Sequence, residues 1–163
     1  MSRRPKPSCV IIDGDIAFIQ LNNAPLAAVI DASDTEMVAG HAWRSHANGS
    51  GHVYASTKIG GRTTFLHRLL MSPASGMVVD HIDGDGLNCR RVNMRVCTGA
   101  QNLQNRRIRS DKFKGVHKHS GRELWYAAIR GKKIGYFKTP VQAAIAYDSA
   151  AREVFGQFAK TNF

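Results

Sequence analysis

The sequence predicts an α+β fold made of small mixed modules. A first module closes on a β-β-α run, and a second is built from three strands and one helix. Three observations carry this. Short apolar runs separated by turn residues fill the first half, which is strand patterning. Residues 78–106 read as strand, Gly-rich turn, short extended segment and helix. The C-terminal stretch places three strand-like runs before a capped amphipathic helix.

Taken in order, Ile16 to Leu21 and Leu26 to Ile30 flank the turn signal Asn22-Asn-Ala-Pro25 and predict a β-hairpin. Ser33-Asp-Thr-Glu36 fits a capping box, in which the Ser oxygen takes a free backbone N–H and the Glu reaches back, so a short helix is expected over 34–40. Trp43 to Ser45 and His52 to Thr57 predict a second hairpin across Asn48-Gly-Ser-Gly51, and Phe65 to Met71 a short helix. After residue 98, Thr98 and Gln101 offer another capping box at the start of a helix.

Arg106 to Lys112 is charged, lacks apolar periodicity and reads as a linker, which divides the chain into modules 1–109 and 110–163. Beyond it, Lys114 to His119, Leu124 to Arg130 and Lys133 to Lys138 are strand-like. Thr139-Pro-Val-Gln142 then starts a helix, with Pro140 at the first helical position, where its missing N–H costs nothing. Val141, Ala144, Ile145, Ala151, Val154 and Phe155 recur near the helical period and predict the face laid on the sheet.

A hydrophobic fraction of 43% suits a globular core, while a formal net charge of +11 points to a polyanionic partner, nucleic acid first. A membrane surface is disfavoured, because the Lys and Arg residues do not line one face of a long apolar helix. The basic start Met1 to Ser8 is followed by a run broken at Asp13 and Asp15, unlike a secretory leader, so a cytoplasmic location is expected. Cys9, Cys89 and Cys97 are odd in number and form no C-x-x-C unit, which predicts reduced thiols.

Val78-Val-Asp-His81 through Arg106 is the stretch that carries chemistry. Cutting a phosphodiester takes a base for water, a cation for the charge developing on phosphate, and positive groups to hold the backbone. His81 supplies an imidazole that titrates near neutrality, Asp80 an anionic oxygen and Asn102 a neutral one. One carboxylate and one amide suit a single Mg²⁺, or Mn²⁺, that keeps several waters. Neighbours on a regular strand point to opposite faces, so Asp80 and His81 converge only at a strand edge or bend. Asp83-Gly-Asp-Gly86 has Leu87 where a calcium loop needs an oxygen, and reads as a tight turn. His41, His46, His52 and His67 lie outside the pattern and are read as structural or surface positions.

The Asp80-His81 pair, the Asp83-Gly84 turn, Asn93 twelve residues after the His and Asn102 nine further on resemble the HNH, or ββα-metal, endonucleases. The likeness is to the phage and intron-encoded branch with Asn at the third signature position. The resemblance implies His81 as general base, Asp80 and Asn102 as ligands of one divalent ion per site, and Asn93 fixing the loop and the His81 ring. It also implies Arg90, Arg91, Arg95 and Arg106 as phosphate contacts.

Residues 114–163, with Lys114-Gly-Val-His, Leu124-Trp-Tyr-Ala-Ala-Ile-Arg130, Gly135-Tyr-Phe137 and Ala143-Ala-Ile-Ala-Tyr-Asp148, resemble AP2-type DNA-binding domains. In that family the sheet enters the major groove. By resemblance Lys114, His117, Trp125 and Arg130 face DNA, and Lys118, Arg122, Lys132 and Lys133 take phosphates. Lys114 and His117 stand where family members commonly carry Arg. Alternation puts one of Trp125 and Tyr126 against the helix.

Together these resemblances imply a metal-dependent DNA endonuclease of the phage or mobile-element homing type, acting on double-stranded DNA as a monomer and nicking one strand. The alternative is a DNA-binding regulatory protein with an inactive nuclease site.

Overall fold

In a computed structural model the chain is described over residues 5–49, 51–105 and 112–163. It is mixed, with several small antiparallel sheets and few helices, and it packs as two units, Met1–Thr98 and Gly99–Phe163. Residues Arg106 to Asp111 of the expected linker, and the 109/110 boundary within them, lie outside the described residues.

In the first unit, β1 (Val10–Asp13), β2 (Ile16–Gln20) and β3 (Ala27–Asp31) form a three-stranded sheet in that order. The β2–β3 hairpin is the expected one, and β1 is a further strand that pairs with β2. Asp13 pairs with Ile16, so Gly14 and Asp15 form a two-residue turn, and Gly14 takes the positive φ of 59° that the tight reversal needs. A 3-10 turn at Ala32–Asp34 leads into the single-turn helix α1 (Thr35–Val38). The capping box expected at Ser33 does not form: neither N-cap residue makes a side-chain cap bond, and Thr35 Oγ1 donates back to the Ala32 carbonyl instead. That 3-10 start sets the turn by i+3 bonds, which leaves Ser33 inside it rather than before it.

The second sheet joins β4 (Arg44–Ala47), β5 (Val53–Ile59) and β6 (Arg62–Phe65). Strand β6 continues directly into α2 (Leu66–Met71), which ends at Ser72 in a left-handed conformation with its N–H on the Arg68 carbonyl. A two-stranded ribbon follows, β7 (Val78–His81) with β8 (Met94–Cys97). These pieces share one core. Ile19, Leu21 and Ile30 from the first sheet meet Val38, Trp43, Ala55, Leu66 and Leu70, with Val79 and Met94 from the ribbon. Each fully buried large side chain contributes about 2 kcal/mol of apolar transfer. Trp43 buries its indole without loss, since Nε1 donates to the Val38 carbonyl at 3.1 Å.

The long loop between β7 and β8 is stitched to the first sheet. The Val29 N–H reaches the Leu87 carbonyl at 2.9 Å, and the Cys89 N–H reaches the Val29 carbonyl at 2.8 Å, as a parallel bridge beside β3. The loop is thereby tied near its middle to the first sheet.

The second unit begins with α3 (Gly99–Gln104), which packs against a 3-10 turn at Gly156–Phe158. Its sheet orders β9 (Val116–Lys118), β10 (Trp125–Ile129) and β11 (Lys132–Phe137), with β10 central. Helix α4 (Pro140–Phe155) crosses it, capped as expected by Thr139 Oγ1 accepting from the Gln142 N–H at 3.2 Å. The buried face of α4 agrees with the expected one at Ala144, Ala151 and Phe155 and departs from it elsewhere: Ala143 and Tyr147 are buried, while Val141, Ile145 and Val154 are exposed. Alanines let the helix approach a short sheet closely, and Gly115 makes room for the Tyr147 ring, which a Cβ there would meet at 2.0 Å.

Among the described residues no helix is long and apolar enough to cross a membrane.

Candidate functional site

Strand β7 ends at His81, where the Gly84 N–H turns back onto the His81 carbonyl at 2.9 Å. The pair Asp80-His81 therefore sits at a bend, the place where adjacent strand residues are free to serve one site. Both side chains are buried. In the ribbon Asp80 lies opposite Arg95 and His81 opposite Met94. Arg95 grips a single carboxylate oxygen: Nε donates to Asp80 Oδ2 at 2.8 Å and Nη2 to the same atom at 2.6 Å.

His81 is walled by side chains from three elements. Its ring centroid is 5.2 Å from that of His67 on α2 and 6.0 Å from that of Tyr54 on β5, and its Nε2 lies 3.7 Å from Cys89 Sγ. Burial holds the His81 imidazole below its usual range, while the carboxylates of Asp83, Asp80 and Asp85 pull the other way. The net result keeps the ring neutral at physiological pH, the form a general base needs. Burial, with the charges of His81 and Arg68, pushes His67 down to about 4, and burial pushes the Cys89 thiol up to about 12.

Asn93 organises the loop. Its Nδ2 donates to Asp83 Oδ1 at 3.0 Å and to the Asn88 carbonyl at 2.8 Å, and its Oδ1 accepts from the Asp83 N–H at 3.1 Å. Asn88 Nδ2 and the Asp85 N–H complete the grip on Asp83 at 2.8 Å each. Burial raises the Asp83 carboxyl, but these hydrogen bonds outweigh it and hold it below the ordinary carboxylate range. Asn93 thus binds the loop that follows His81. Its side chain does not reach the imidazole, because its hydrogen bonds are spent on Asp83 and Asn88.

The arginines expected to meet phosphate are placed as follows. Arg90 pairs with Asp31 at 2.9 Å and Asp15 at 2.7 Å, Arg91 with Asp34 at 2.8 Å, and Arg95 with Asp80. Arg90 and Arg91 clamp the end of the loop to β3 and the turn after it. Arg106 lies outside the described residues. Asn102 is exposed on α3, in the second unit. Among the described residues no group of three or more His, Cys, Asp or Glu side chains is placed to hold a metal ion. Asp80 offers a hard carboxylate oxygen, a donor chemistry that hard divalent ions accept.

His67, expected as a structural or surface position, and Tyr54, outside the motif, both touch the His81 ring. The signal for His67 was a lone imidazole inside the apolar run Phe65 to Met71. Its Nδ1 is buried without a hydrogen-bond partner.

In the second unit, His117, Tyr126 and Tyr136 form one cross-strand rung on the outer face of the sheet. His117 stacks on Tyr126 with centroids 5.0 Å apart, and Lys133 Nζ lies 4.6 Å from the Tyr136 centroid and 5.0 Å from that of Tyr126. Trp125 is on the other side, packed with Val116, Ile129 and Phe137 against the α4 core, so the outward aromatic is Tyr126. The alternation that carries Ala127 inward carries Trp125 with it. Arg130 occupies the β10–β11 turn at φ 48° with its guanidinium 5.1 Å from the Phe155 centroid. Lys114 Nζ donates to the Gln104 carbonyl, and burial pulls its pKa below the ordinary lysine range.

Residues 71–104 match the HNH endonuclease family. The chain is 35% identical over 103 residues to an uncharacterized HNH endonuclease of Acanthamoeba polyphaga mimivirus, covering 60% of this chain and 54% of that protein. It is 31% identical over 96 residues to an ethylene-responsive transcription factor of Arabidopsis thaliana, covering 53% of this chain and 60% of the factor. The chain thus spans a little over half the length of each of these relatives. No solved structure matches it.

Proposed function

We propose that this protein is a metal-dependent DNA endonuclease whose hydrolytic centre is the Asp80-His81 pair at the end of β7. The observation that carries the reading is a buried imidazole kept neutral beside a buried carboxylate, inside the segment that matches the HNH endonuclease family. His81 would take the proton of the attacking water, and Asn93 would hold the loop that fixes the strand end. Asp80 would hold the divalent cation, with Asn102 nominated by the motif spacing as a further oxygen donor. When bound, that cation supplies charge neutralisation on the scissile phosphate. Because Arg95 holds Asp80, holding a cation there would require part of that contact to be released.

The two-module organisation belongs to the same proposal. Residues 1–109 would form the nuclease module, and residues 110–163 an AP2-like module that adds duplex affinity through His117 and its neighbours. Linking a weak second contact to a cutting centre raises local concentration without new chemistry. A phage or mobile-element homing role, with one site per monomeric chain nicking one strand, completes the reading.

Supercoiled plasmid DNA tests it. With Mg²⁺ the chain should convert it to open circles, and EDTA should stop the conversion. Conversion unaffected by EDTA would remove the metal from the account. A second reading, a DNA-binding regulator without hydrolysis, draws on the Asp80–Arg95 pair, in which an arginine already occupies the carboxylate. It predicts binding to the plasmid with no open circles under any metal.

A further inference from the structure

The three described arginines of the motif are held by aspartates, so the unpaired positive charge of the first unit has to be sought elsewhere. The outer face of the β4–β5–β6 sheet carries part of it. Across the strands Arg44 lies opposite Ser56, and Ser56 opposite Phe65; one rung on, His46 lies opposite Tyr54, and in the other direction Lys58 lies opposite Thr63. Directly opposed residues share a face, so Arg44, His46, Tyr54, Lys58 and Phe65 all look away from Ala55, which is buried in the core. Arg44, His46 and Lys58 are exposed, and among the described residues no carboxylate pairs with either cation.

This face holds a cleft of about 580 Å³ whose lining includes Arg44, His41, His46 and Lys58 and, among the described residues, no Asp or Glu. It is also continuous with the candidate centre. The His46 ring meets Phe65 at 5.2 Å, Phe65 meets Tyr54 at 6.2 Å, and Tyr54 meets His67 at 5.4 Å and His81 at 6.0 Å. An unbroken line of rings runs from the basic cleft to the imidazole.

We propose that the outer face of the β4–β5–β6 sheet is the surface on which the first unit holds its DNA, with Arg44 and Lys58 taking backbone phosphates and the ring line directing the strand toward His81. This rests on the nuclease reading and adds a binding surface outside the matched segment, supplied by strands that precede it. DNA is the occupant because the cleft offers cations and imidazoles with no opposing carboxylate, and a polyphosphate backbone complements that charge.

The test is the salt dependence of binding to a short fluorescent DNA duplex in metal-free buffer, using the full chain. Each lost phosphate contact makes the plot of log K against log salt shallower by about 0.9, so Arg44→Gln with Lys58→Gln should flatten it by about 2. In Mg²⁺ the same pair should raise KM several-fold and leave kcat unchanged. Arg62→Gln, on the opposite face of β6, should leave the slope as it is, and the charge-conserving pair Arg44→Lys with Lys58→Arg should retain it. An unchanged slope in the double Gln variant, or an equal change from Arg62→Gln, overturns the proposal. Because binding is read without metal, a parent chain that fails to cut would count against the nuclease reading and leave this one standing or falling on the slopes.

Discussion

Arg95 places two of its N–H groups on one oxygen of Asp80, Oδ2, across the β7–β8 ribbon, with both side chains largely buried. The carboxylate proposed to hold a cation is thus already neutralised by a fixed one. The pairing keeps a buried charge tolerable without substrate and sets the terms on which a metal enters.

Arg95→Ala should therefore do two separable things. It should destabilise the fold by about 3–5 kcal/mol, the usual cost of stranding one partner of a buried pair. It should also leave Asp80 open, so that Mg²⁺ raises the melting temperature of the variant more than that of the parent. Denaturant melts check the first and thermal melts with and without Mg²⁺ the second, and equal Mg²⁺ shifts in the two proteins would detach Asp80 from metal binding.

The His67 imidazole should make the protein acid-sensitive. Unfolded, it takes its proton near 6.5; folded, it resists until about 4. In that window the unfolded state binds more protons, so the stability present above pH 6.5 is lost as pH falls toward 4. The loss amounts to at most about 3 kcal/mol. His67→Phe keeps the ring packing against Phe65 and Tyr54 and should flatten the pH dependence of urea melts across the window. A variant as acid-sensitive as the parent would assign the effect to another group.

Gly115→Ala should cost several times more than Gly131→Ala. Both glycines have positive φ, 70° and 76°, but a Cβ on Gly115 meets the Tyr147 ring at 2.0 Å and the Ala128 carbonyl at 2.8 Å, whereas Gly131 has nothing within 4 Å. The Gly131 change carries only the backbone cost of about 1 kcal/mol, and the Gly115 change adds overpacking of about 1–3 kcal/mol. Thermal melts of the two variants side by side test this; similar losses would mean that the Tyr147 ring moves aside freely.

What could be read from the sequence was what local chemistry decides. The Thr139 cap and Pro140 mark the start of α4, apolar runs around turn residues mark β2, β3 and β5, and the Asp80-His81 dipeptide marks the candidate centre. What could not be read depends on register and packing. Ser33 has the residues of a capping box but sits inside a 3-10 turn. The large aliphatics of α4 recur at the helical period, yet the short sheet is met by alanines and Tyr147, because close approach outweighs side-chain size. The Asp80–Arg95 pair follows from cross-strand register, and the Tyr54 and His67 walls of His81 come from strands and helices distant in sequence. The arginines of the motif looked available as a string of letters; the aspartates that hold Arg90 and Arg91 lie far back in the chain.

The most direct test of the hydrolytic centre is the single-turnover rate at which His81→Ala cuts a saturating labelled duplex in Mg²⁺, measured beside its binding to the same duplex. Loss of a general base should slow cutting by about a hundredfold or more while the affinity stays at the parent's value. Cutting at the parent rate by the alanine protein would contradict the assignment and move the chemistry away from β7.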